Sequence, residues 1–130
     1  MPLKIVLKPG EKIIINQAVI ENGGEKAQLI LQNRAVVLRE RDIMTEAKAT
    51  SPARRIYFMV QMIYLFPEKE RVYQEKFNEL LRDFVHAVPS ATPIAAEIEE
   101  CLLQGNQYAA LKRCRRLMEY EQEVMEHAQR

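Results

Sequence analysis

A change of hydrophobic period near residue 45 constrains this chain more than any other feature. Before it, apolar residues come in short runs rich in isoleucine, valine and leucine: Leu3 to Leu7, Lys12 to Asn16, Ala18 to Glu21, Ala27 to Leu31 and Ala35 to Leu38. After it, they recur at helical spacing. Strands therefore come first and helices second, in separate runs, which argues for an α+β fold and against a parallel βαβ design. The expectation is a small antiparallel β-sheet or barrel of about five strands, followed by about four α-helices.

Turn chemistry punctuates the β part. Pro9-Gly10-Glu11 and Asn33-Arg34 read as turns, the latter between the last two strands. Asn22-Gly23-Gly24 reads as a tight hairpin with positive φ angles. The polar stretch Thr45 to Thr50 reads as a loop. Ser51-Pro52 is a helix start, with serine as N-cap and proline where its missing N–H costs nothing. That helix should run to Phe66, where Pro67 stops it. A second spans about Glu68 to Val88, with Tyr73, Phe77, Leu80, Leu81, Phe84 and Val88 on one face. Thr92-Pro93 repeats the cap-then-proline signal before a third helix ending near Leu103. After Gly105-Asn106 a fourth begins at Gln107. The domain reading is a β part over 1–44 and a helical part over 51–130, within one compact unit.

At 130 residues with 48% hydrophobic residues, the chain can bury a genuine core. A formal net charge of +1 gives no bulk steering, so any nucleic-acid site must be a local patch. Cys101 and Cys114 are too few for a disulfide framework and lie among apolar neighbours. No apolar run reaches membrane-spanning length, and no signal peptide is visible, so the expectation is a cytoplasmic protein without membrane contact.

Catalytic chemistry is hard to find. His86 and His127 have no partners at ligand spacing, no Gly-rich phosphate loop is present, and no cofactor is implied. Glu99-Glu100 and the series Glu119, Glu121, Glu123 and Glu126 read as solvated helix faces. The chain is expected not to be an enzyme.

The cations say more. Within Lys112-Arg113-Cys114-Arg115-Arg116, Lys112 and Arg116 face together, and a solvated helix face is the favoured reading. Arg54 and Arg55 open a helix, where positive charge opposes the helix dipole. A carboxylate partner inside the fold or a phosphate outside it would offset that cost. Strand alternation puts Arg39 and Arg41 on one face, and Lys4 and Lys8 on the matching face of the first strand. If the first and last strands are neighbours, these four cations form a stripe along an edge suited to single-stranded RNA. All nine Phe and Tyr residues lie at or beyond Tyr57, so an aromatic RNA-recognition sheet is excluded.

Leu7-Lys8-Pro9-Gly10-Glu11-Lys12, Ala35 to Met44, and Ser51-Pro52-Ala53-Arg54-Arg55-Ile56-Tyr57-Phe58 resemble the FlbT family, regulators of flagellin synthesis in flagellated alpha-class proteobacteria. The resemblance runs from Pro2 to about Leu65, and more loosely through Tyr73 and Arg116 to Glu121. It implies binding to the 5′ untranslated leader of flagellin mRNA, with a change in translation or stability, and a protein partner called FlaF. Repressors and an activator-like regulator both occur in the family, so the sign of regulation stays open.

The β segment also resembles the CsrA family of translational regulators, whose last strand ends in Arg-Glu before an Ile. There, that Arg and first-strand residues contact GGA-containing RNA. The matching positions are Arg39, Val6 and Lys8. Pro9 stands where CsrA proteins carry a second basic residue, and one extra residue separates Arg39-Glu40 from Ile43. CsrA proteins form an interlaced dimer, which adds a homodimer to the expectations. The RNA-contact candidates are thus Lys4, Val6, Lys8, Arg39 and Arg41, with Arg54 and Arg55. The rival reading is a protein-binding adaptor whose helical half grips FlaF, flagellin or a secretion component.

Overall fold

The computed structural model describes residues 2–128. The chain divides into two compact units, Met1–Ile43 and Met44–Arg130.

The first unit holds five strands, β1 (Leu3–Leu7), β2 (Lys12–Ile15), β3 (Ala18–Glu21), β4 (Ala27–Leu31) and β5 (Val37–Arg39). They form two antiparallel sheets, β1-β4 and β3-β2-β5. Alternation along β1 buries Ile5 and Leu7 and leaves Lys4 and Val6 outside. Ile5, Leu7 and Ile13 form the core, with Ile15, Leu29, Leu31 and Val37 packed against them. Each such side chain, fully buried, contributes roughly 1.5–3 kcal/mol.

Two expectations about connections are corrected. Asn22-Gly23-Gly24 is not a hairpin tip, because β3 and β4 lie in different sheets, and neither glycine has a positive φ. Instead the Asn22 side chain organises the crossover. Its amide donates to the carbonyls of Leu7, Lys8 and Glu25 at 3.1, 3.2 and 2.9 Å, and its oxygen accepts the Gly24 N–H. The tight hairpin joins β2 to β3, where Asn16 takes the left-handed conformation (φ 58°). Asparagine tolerates that region better than other non-glycine residues. Asn33-Arg34 lies between β4 and β5 as expected, and these two strands belong to different sheets. Finally, β5 pairs with β2 and not with β1, so the first and last strands share no ladder.

The second unit contains α1 (Pro52–Leu65), α2 (Glu70–Ala87), α3 (Thr92–Leu103) and α4 (Gln107–Ala128). Ser51 is the N-cap of α1 as expected, accepting the Arg54 N–H at 3.2 Å. Thr92 does not cap α3: it is the first helical residue, and its hydroxyl donates to the Pro89 carbonyl. Helix α1 packs on both α2 and α4, and α3 packs on α4. Its buried face runs Ala53, Ile56, Tyr57, Val60 and Ile63, the three-and-four spacing of an amphipathic helix. Phe77, Leu81 and Phe84 are the buried face of α2. No helix among the described residues is long and apolar enough to cross a membrane.

Candidate nucleic-acid interface

Among the described residues strand β1 is laddered with β4 alone and strand β5 with β2 alone, so β1 keeps an edge outside its ladder. A side chain, not a ladder, joins these strands: the Arg39 guanidinium at the end of β5 donates to the Val6 carbonyl of β1 at 2.7 Å. Register places Arg39 opposite Ile13, a fully buried residue, so the arginine stem starts beside the core and only its head reaches outward. One guanidinium offers five N–H donors, and most remain after this bond.

The outer face of the β1-β4 sheet carries Lys4 opposite Ile30 and Val6 opposite Gln28. Val6 and Ile30 are 40% and 48% exposed, enough for apolar contact with a ligand. Lys8, exposed, follows the end of β1. Its N–H is held by the Glu11 carboxylate at 2.9 Å, which fixes the backbone while the ammonium stays free of that bond. Gln28 and Ile30 were missed from sequence, because their membership of this face depends on the pairing of β4 with β1.

Arg41 lies elsewhere than strand alternation places it. The strand stops at Arg39, and Glu40–Asp42 form a short 3-10 turn. Within it Glu40 turns back to accept the Lys12 N–H at 3.2 Å. Lys4, Val6, Lys8 and Arg39 are thus gathered on β1 and its reach to β5, with Arg41 on the adjoining turn.

Arg54 and Arg55 belong to the helical unit. Both are exposed, and among the described residues the Arg54 side chain makes only a long contact to the Thr50 hydroxyl, 3.4 Å. The carboxylate at this helix N-terminus is Glu121 of α4, which pairs with neither arginine. It accepts the Ser51 hydroxyl at 2.6 Å and the Ala53 N–H at 2.9 Å, directly at the helix N-terminus. Glu121 is therefore not part of a solvated acidic face. Gln61 is the other group missed: buried in α1, it exchanges two hydrogen bonds with the Met44 backbone, 2.7 and 2.9 Å. In the basic run of α4, Lys112 lies over the Tyr108 ring and Arg113 meets Glu97 at 3.8 Å. Burial pushes the Cys114 thiol well above its ordinary pKa, with Cys101 adding to the shift, so it stays an inert core group.

The fold and surface define a class: a small α+β protein whose strand edge is furnished with cations and apolar groups. The flagellar protein FlbT model matches residues 3–125, and the chain belongs to the FlbT family. It is 43% identical over 129 residues to a probable flagellum biosynthesis repressor protein FlbT of Caulobacter sp., covering 98% of each chain. Identity is again 43% to the flagellum biosynthesis repressor protein FlbT of Caulobacter vibrioides, covering 98% of this chain and 92% of that one. The Rhodopseudomonas palustris relative, of the same name as the first, is 37% identical over 96% of this chain and 98% of its own. No solved structure matches.

Proposed function

We propose that this chain represses flagellin synthesis after transcription, its β unit binding the 5′ untranslated leader of flagellin mRNA and altering translation or stability. The repressor names of its relatives favour that sign. The observation that carries the reading is the Arg39–Val6 bond, which brings a strand-end guanidinium onto the first strand beside Lys4 and Lys8. Main-chain groups on an open edge suit base edges, cations suit phosphates, and Val6 and Ile30 suit base faces. The resemblance of Arg39-Glu40 to the strand ending of the CsrA family would give Arg39 the same role. Arg41 extends the surface, and exposed Arg54, on the helical unit, is a separate candidate for phosphate contact. Arg55 lines an apolar trough and is left out of this surface. Acting on message places the protein in the cytoplasm, with FlaF and a second copy of the chain as further partners.

Cell-free translation tests the reading. Added protein should lower the yield from a flagellin message carrying its leader and leave a leader-swapped message unchanged. Equal effects on both, or none on either, would contradict it.

A further inference from the structure

Between the start of α1, the second half of α2 and the second half of α4 lies a trough of about 310 Å³. Phe84, Leu80, Val88 and Val124 supply its apolar lining. Met125 is 58% exposed there, a flexible thioether of the kind that adapts to varied apolar partners. The polar groups sit at its margin. Glu121 is already engaged by Ser51 and Ala53. Arg55 and Asp83 also line it, and neither side chain has a hydrogen-bond or ion-pair partner among the described residues.

We infer that this trough receives an amphipathic helix of a partner protein, one that sets two apolar residues a helical turn apart beside an acidic residue. The lining selects the apolar anchors. Arg55 selects the acid, since an unpaired guanidinium beside an apolar surface favours a carboxylate that can accept two parallel bonds. Asp83 selects against a uniformly acidic segment by like-charge repulsion. The walls select the helix. Three helices leave no strand edge for an extended peptide to join, whereas a channel between helices fits the helix-in-groove mode. RNA is disfavoured, because the margin carries an unpaired carboxylate and the lining offers no exposed aromatic face. This inference gives the protein-adaptor expectation a site and stands apart from the RNA reading.

The test is selection of a displayed library of helix-forming peptides on the full chain. Enrichment of apolar residues at i and i+3 or i+4 with an adjacent acid is expected. Val124→Asn should weaken a selected peptide by about tenfold or more in Kd. Selection on Arg55→Glu should replace the acid with a base. No enrichment, or enrichment insensitive to both substitutions, would overturn the proposal. So would a dimer that Val124→Asn turns into a monomer, which makes a second copy the occupant. Loss of leader binding in Val124→Asn would assign the trough to RNA and overturn it as well; unchanged leader binding with lost peptide binding supports it.

Discussion

The Glu121 carboxylate accepts the Ser51 hydroxyl at 2.6 Å and, through its other oxygen, the Ala53 N–H at 2.9 Å. Residues seventy apart in sequence thus close the N-terminus of α1, and the anion stands where the helix dipole favours it. Glu121→Ala removes two charge-assisted bonds and should cost about 1.5–3 kcal/mol. Ser51→Ala removes an N-cap and should cost about 1 kcal/mol. Because the groups share a bond, the double variant should lose less than the sum. Urea unfolding followed by helical circular dichroism measures all three, and strict additivity would contradict the shared cap.

Gln61 supports a second prediction. Its buried amide takes the Met44 N–H and gives to the Met44 carbonyl, as a neighbouring strand would. Gln61→Leu leaves both backbone groups without partners and should cost about 1–3 kcal/mol. Gln61→Glu keeps an acceptor for the N–H but turns a carboxylate on the carbonyl, and should be destabilised too. Hydrogen exchange at Met44 should accelerate in Gln61→Leu; unchanged protection there would remove the clamp.

What sequence made legible follows from the range of each interaction. Helix starts and stops are local, so Ser51-Pro52 and Pro67 placed α1 to within a residue. Strand existence is local as well, and all five strands were foreseen. Strand pairing is not local: Asn22-Gly23-Gly24 has hairpin composition, yet the hairpin formed at Asn16, where a short polar break sits between two isoleucine-rich runs. From sequence, the cation stripe was conditional on neighbouring first and last strands; they share no ladder, and the Arg39 side chain alone reaches Val6. Glu121 was invisible because its series, Glu119 to Glu126, has the composition of a solvated face. Only the packing of α4 on α1 singles one member out.

Stability should fall at high pH for a specific reason. Burial raises the pKa of the Cys114 thiol and, with Cys114 and Tyr108 nearby, that of the Tyr57 phenol. Both stay neutral in the folded chain at pH values where the unfolded chain ionises, so the unfolded state binds fewer protons there. Their contribution is intact below the ordinary values of 9.0 for the thiol and 10.0 for the phenol, and is lost as pH climbs from there toward the raised folded values. Cys114→Ala should flatten the first part of this decline in urea midpoints. A wild-type midpoint rising from pH 8 to pH 10 would contradict the assignment.

The central claim is that the β1 face, with Arg39 held against it, contacts the flagellin leader. A salt-titrated gel shift with the leader and the full chain tests it most directly, comparing wild type with Lys4→Ala/Lys8→Ala, whose exposed side chains leave the core untouched. Each phosphate contact on a single strand adds roughly −0.7 to the slope of log affinity against log salt. The variant should therefore bind more weakly and show a slope shallower by about 1.4. Arg39→Ala/Arg41→Ala should weaken binding further. Identical affinity and slope for wild type and the lysine variant, or no leader binding by wild type at low salt, would contradict the account.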